Sequence, residues 1–266
     1  MAYILHFIYI VDYTTEVKMD KFLYISMSGA KETMNALAIH SNNIANARTT
    51  AFKSSFEQAR SMQAFGEGLP TRVFSLTESP GQNFESGLLR TTGRDLDVSI
   101  RGSGWFVVES KTNGEGMTRN GEFRIDPEGY LIDASGNKVI YDNGAAIQLP
   151  LPIEKMNIRS DGIVEVRPEG APPEALEEIG RLKLVDPPLK GLIRGNDGLF
   201  RMNNGGIPEE SLEVSIVSGA LENSNVNLSS ELTSLINLQR QFEMQIKMMK
   251  HAEEMDKSSD SLLRIM

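Results

Sequence analysis

Cysteine is absent from the 266-residue chain. Its absence excludes disulfides, thiolate metal sites and iron–sulfur clusters. Histidine is scarce: His6, His40 and His251 stand far apart, with no HExxH or H-x-H pairing to hold zinc. There is no G-x-S-x-G nucleophile elbow and no P-loop. No cluster of lysine and arginine offsets a formal charge of −9 and a pI near 5.0, so nucleic acid is excluded as a partner on charge. No apolar run reaches the roughly 20 residues of a membrane-spanning helix, which argues against direct membrane insertion. The longest, Met1–Val11, lacks both a basic n-region and an A-x-A-like cleavage site, so it does not read as a secretory signal. With no nucleophile–base pair, metal ligand set or cofactor motif left, the sequence argues against an enzyme, and no catalytic, cofactor or metal residue is assigned.

What is present is a folding composition, 40% hydrophobic and 24% charged, in a length that suits one or two structural units. Residues 1–18 read as an extension ahead of a start at Met19, because a regular pattern begins only there, or else as a genuine N-terminal strand or adhesive tail. Leu23, Met27, Ala30, Met34, Leu37, Ser41 and Ile44 alternate in steps of four and three, which predicts an a/d helix from near Asp20 to near Asn46. Such a helix is on the order of 40 Å long at 1.5 Å per residue. At the other end Leu228, Leu232, Leu235, Phe242, Ile246 and Met249 repeat the spacing and drift through Ala252, Met255 and Leu262 to Met266. Asn227 or Ser229 is positioned to cap this helix, with Glu231 near its positive end. Narrow seams suit helix–helix contact, so the two ends are expected to pair as a coiled coil, with each other and with copies of the chain.

Between these ends the period changes to two. Leu96, Val98 and Ile100 alternate with Asp97, Ser99 and Arg101, and Leu212, Val214 and Ile216 with Glu213 and Ser215. Phe123 and Ile125, and Leu182 and Leu184, bracket single polar residues in the same way. Each reads as a strand with one solvated face. Trp105-Phe106-Val107-Val108 is continuously apolar and reads as a strand at the core centre. Turn signals separate these runs, among them Asn113-Gly114, Asn120-Gly121, Ser135-Gly136 and Asp161-Gly162, where φ > 0 serves tight hairpins. The fold class is therefore α+β: terminal helices around a central antiparallel β unit. The boundaries suggested are an N-terminal helical part 19–53, an extended connector 54–82, a β domain 83–218 and a C-terminal helical part 219–266. Prolines at 168, 172 and 173 mark a surface loop.

Gly102-Ser103-Gly104 precedes a strand rather than a helix, so it reads as a turn and not a phosphate cradle. Asp95 and Asp97 lack EF-hand spacing, and Asp97 is expected to face solvent. His40 sits on a helix with no partner in view. Asn42, Asn43 and Asn46 are less ordinary. Asparagine is a poor helix-interior residue, so three of them in five positions suggest amides engaged in defined contacts at a helix end. The chain that follows, Thr49 to Lys53, would then leave the helix and insert Phe52 into a neighbouring surface.

Ser41–Asn46 with Thr50-Ala51-Phe52-Lys53 resembles the N-terminal signature of bacterial flagellar rod and hook proteins. That family usually carries glycine where this chain has Ala51. Asp95–Ile100 through Gly104–Val108, and Thr118–Gly121, are similar to the central block those proteins share. Gly219–Asn227 and Arg240-Gln241-Phe242-Glu243 resemble the segment that opens their last helix and a turn within it. Within the family, Gly180–Val185, Asp197–Arg201 and Phe242–Lys247 are similar to the proximal-rod type. The resemblance covers essentially Met19 to Met266.

The resemblance implies a non-catalytic subunit of the proximal rod, crossing the periplasmic space and transmitting torque. Its implied partners are other rod subunits, proximal and distal, copies of itself, and the flagellar type III export apparatus, which takes chains without a cleaved signal. The interface is expected on Leu23, Met27, Met34, Leu37, Asn42, Asn43, Ile44, Asn46, Phe52, Leu228, Leu232, Leu235, Phe242, Ile246 and Met249. A distal-rod subunit of the same family is one alternative. A periplasmic or surface binding module with a β platform is another.

Overall fold

The computed structural model describes residues 20–63, 73–77, 81–172, 175–206 and 208–263. The 1–18 extension, the Met19 start, the side chains of Leu23 and Leu262, Pro173 and Met266 lie outside the described residues. The chain forms two compact units. One gathers the residues up to Ala45, Ser55–Asn83 and those from Asn227 on, and the other holds Asn46–Ser54 and Phe84–Val226. The divisions fall after Ala45, Ser54, Asn83 and Val226.

The first unit is built on two helices, α1 (Asp20–Ala45) and α2 (Leu228–Leu263). α1 is a proline-free run with strong helix formers, and it ends where its asparagines begin to compete for backbone groups. Asn43 makes that end specific: its Oδ1 accepts from Ser55 N at 3.0 Å and its Nδ2 donates to Ser55 O at 2.8 Å. α2 begins at an Asn227 cap, whose Oδ1 accepts from Ser230 N at 3.2 Å. Glu231 stands in the first turn, where a carboxylate complements the helix dipole. The helices pack on one another. Thr33 meets Gln245, and His40 meets Glu231, so they run antiparallel. The described residues of the stretch 54–82 include paired strands. β1 (Ser55–Phe56) joins β4 (Gly81–Gln82), and β2 (Ala59–Gln63) joins β3 (Val73–Thr77), both antiparallel.

The second unit is antiparallel β. Its largest sheet centres on β7 (Trp105–Ser110), flanked by β8 (Gly114–Thr118) and by Lys138–Val139. β5 (Leu89–Thr91) pairs with Ala220–Glu222, and β6 (Val98–Arg101) with Ser215–Ser218. A three-stranded sheet, Ile153–Ile158, Ile163–Pro168 and Glu177–Arg181, stands beside them. The apolar run in β7 is buried on both faces. Phe106 and Val108 belong to a core with Val98, Phe123, Leu131 and Leu182, while Trp105 and Val107 join Met117, Ile140, Val185 and Phe200. Phe84, Trp105 and Phe200 stack within 6 Å of one another, with Trp105 and Phe200 4.8 Å apart.

Three expectations from the sequence pattern are corrected. Asp97 and Ser99 are buried rather than solvated, because chain packs over both faces of β6; Asp97 is answered by Arg94 at 3.4 Å. Leu212 is exposed, and its strand begins only at Ser215. Gly121 does not supply a positive φ. A Cβ there would stand 1.9 Å from the Val98 carbonyl, so glycine is needed for close approach.

Candidate assembly site

On α1 the buried positions are Ser26, Ala30, Thr33 and Ala36, all small, with Asn43 at the end. Small side chains let α2 come close. A Cβ on Gly29 would lie 3.0 Å from Gln245 Nε2, and the Thr33 hydroxyl reaches Gln245 Oε1 at 3.1 Å. His40, expected to lack a partner, has one: its Nδ1 lies 2.5 Å from Glu231 Oε2. Glu57 lies in the same neighbourhood. Burial, with Glu32 adding to it, pushes its carboxyl above the usual range, against a smaller opposite pull from His40.

The heptad positions divide. On α1, Met27 and Met34 are more than half exposed, while Leu37 and Ile44 are half-buried. Asn42 is exposed and Asn46 half-buried. On α2, Leu235, Phe242, Ile246 and Met249 are half-buried, whereas Leu228 and Leu232 are exposed. Leu228 and Leu232 instead start a ridge at steps of four that continues through Ile236, Met244 and Met248, interrupted by Arg240. α2 thus carries two apolar stripes, one partly covered and one open to solvent.

Phe52, in the second unit, is buried, with the Arg194 guanidinium 4.3 Å from its ring centroid. The surface it enters belongs to its own chain. The segment around it is clasped by residues far away in sequence. Ala51 N donates to Glu222 O at 2.8 Å, Asn225 N to Phe52 O at 3.2 Å, and Ser54 N to Asn225 Oδ1 at 2.7 Å. At the centre is a buried charged group. Lys53 Nζ donates to Glu222 Oε1 at 2.7 Å and to Glu85 O at 2.8 Å. Gly87 N donates to the same Glu222 oxygen at 2.9 Å. Arg119 Nε approaches the other oxygen at 3.6 Å, and Arg119 also bonds to the Gly102 carbonyl and lies over Trp105. Burial pulls Lys53 below its ordinary range, against the opposing pull of Glu222; Arg119 is lowered for the same reason. Sequence reasoning missed Lys53, Arg119 and Glu222 as a group, although each lies within a quoted motif. The only signal was a lysine and a glutamate inside otherwise apolar or turn-like segments.

Ala51 holds φ = 55°, a conformation that costs a residue with a Cβ about 1–2 kcal/mol. Ala51→Gly is expected to raise the unfolding free energy by up to about 1 kcal/mol, once the extra entropy glycine gives the unfolded chain is deducted. Urea denaturation checks this; a lower midpoint for the glycine variant would contradict the strain.

Two packed helices with exposed apolar stripes, joined to an antiparallel β unit, have the make-up of a structural building block. Comparison with known proteins agrees. The family described as "Flagella basal body rod protein" matches residues 23–53, the "Flagellar hook protein FlgE/F/G D1 domain" residues 99–166, and the "Flagellar basal body rod FlgEFG protein C-terminal" family residues 217–262. The chain is 33% identical over 251 residues to the flagellar basal-body rod protein FlgF of Escherichia coli, covering 92% of this chain and 99% of that one. It is 34% identical to FlgF of Salmonella typhimurium over the same shares. It is 30% identical to the rod protein FlgG of Bacillus subtilis, over 89% of this chain and 96% of that protein. The chain belongs to the flagellar basal-body rod protein family, as a structural rod subunit of the FlgF kind. The family is structural rather than enzymatic. No described helix is long and apolar enough to cross a membrane.

Proposed function

We propose that the chain builds the proximal rod by packing its terminal helices, as coiled-coil layers, against those of neighbouring subunits. The observation that carries this reading is the open apolar ridge Leu228, Leu232, Ile236, Met244 and Met248 on α2, together with Met27 and Met34 on α1. A monomer rarely leaves such stripes uncovered, and a helix stripe is best covered by another helix. The neighbours are copies of the chain and other rod subunits, proximal and distal. Non-closing, heterologous contacts of this kind generate a helical assembly, which carries torque through many apolar contacts. Asn43 and Phe52 serve the interface indirectly, by fixing the end of α1 and the segment after it, while Asn42 and Asn46 flank them. Leu23, Leu37, Ile44, Leu235, Phe242, Ile246 and Met249 complete the helix layer. Delivery across the periplasmic space falls to the flagellar export apparatus, without a cleaved signal.

Leu232→Lys tests the reading. It places a charge on the exposed ridge without touching a covered position. Incorporation into basal bodies and swimming should be lost, while the helical circular dichroism and thermal midpoint of the free chain stay unchanged. Wild-type swimming by the variant would refute the interface.

A further inference from the structure

The sulfur chemistry of the open helix faces goes beyond that reading and rests on it. The chain has 13 methionines and no cysteine, so no thiol intercepts an oxidant. Among the described methionines, exposure differs widely. Met27 (54%), Met34 (58%), Met244 (59%), Met248 (47%) and Met255 (61%) stand out on the two helices, Met202 and Met249 are half-buried, and Met117 (1%) and Met156 (5%) are enclosed in the β unit. Met27 and Met34 are one heptad apart on one face of α1, and Met244 and Met248 are neighbours on one ridge of α2. Four of the five exposed thioethers among the described residues therefore stand on the surfaces that docking would cover.

We propose that Met27, Met34, Met244 and Met248 form an oxidation site that controls docking: peroxide converts them to sulfoxides, and the modified faces no longer accept the helices of a second copy. In the reaction the thioether sulfur attacks one oxygen of hydrogen peroxide. An S–O bond forms as the O–O bond breaks, and the departing hydroxide takes the proton of the transferred oxygen to leave as water. Sulfur loses two electrons and the peroxide is reduced. The product is a polar, chiral group in place of a flexible apolar one. Buried in a helix–helix contact, its oxygen lacks a donor, so association is expected to weaken about tenfold or more. Once docked, the same sulfurs are shielded, so the site is open only in the free subunit.

The test uses the full chain treated with dilute hydrogen peroxide. Peptide mass mapping follows sulfoxide formation, and sedimentation velocity at high protein concentration follows self-association. Sulfoxide should accumulate at the four helix methionines before Met117 and Met156. Association should fall in step, and methionine sulfoxide reductases should restore it. The quadruple variant M27L/M34L/M244L/M248L, compared with its own untreated state, should show no fall in association after peroxide. Unimpaired association of the oxidised wild type overturns the proposal, as does equal loss in the quadruple variant or equally rapid oxidation of Met117 and Met156. If untreated protein fails to associate, the docking reading itself fails and takes the control function with it; association that peroxide leaves intact removes only the oxidation site.

Discussion

Glu222→Leu is expected to destabilise the β unit by about 3–5 kcal/mol, the cost of stranding buried charge. Glu222 accepts from Lys53 at 2.7 Å and from Gly87 N at 2.9 Å, and it is the carboxylate nearest Arg119 within this group. Lys53, Arg119 and Glu222 are each at most 5% exposed, so water cannot take over the lost contacts. Leucine matches the volume and none of the charge. Lys53→Met should cost less, since Arg119 still compensates the carboxylate. The double variant K53M/E222L should fall short of the summed single effects, because the lysine no longer needs what the leucine fails to give. The chain's one tryptophan, Trp105, lies in the β unit under Arg119 and reports the transition by fluorescence during urea titration. An unchanged midpoint for Glu222→Leu would show that the group contributes nothing.

Gly87→Ala should be nearly as damaging. A Cβ on Gly87 would sit 1.9 Å from the Asn223 carbonyl oxygen, a backbone atom with no rotamer to escape into. Relief requires the 84–88 segment to move off the strand Ala220–Glu222. That movement stretches the bond from Gly87 N to Glu222, a bond to a charged acceptor worth about 1.5–3 kcal/mol. Overpacking adds about 1–3 kcal/mol, giving an expected loss on the order of 3–5 kcal/mol. The same urea titration measures it. A stability within error of wild type would mean that the segment is not pressed against Asn223.

The elements whose signal is local were legible in the sequence. The helices, the apolar run of β7 and most glycine turns follow from periodicity and from residues a few positions apart. What was illegible depends on what lies over a residue. Asp97 and Ser99 alternate as a half-solvated strand should, and nothing in their own segment announces the second covering layer. The α1 heptad is similar: large Met27 and Met34 draw the eye, yet the buried positions are the small Ser26, Ala30, Thr33 and Ala36, of which only Ala30 lies on the heptad. The clasp was hidden for another reason. Lys53 and Glu222 are 169 positions apart, and a single chain carries no mark that pairs them.

That separation has a kinetic consequence. A polypeptide synthesised N-terminus first presents Lys53 early, long before its acceptor exists. Non-local closure is slow because loop entropy is lost before the contact repays it. Until residue 222 arrives, the ammonium stays hydrated and the segment around Phe52 has no seat. Maturation of the β unit is thereby deferred to the last stretch of synthesis, so most of the chain is made before its latch can snap shut.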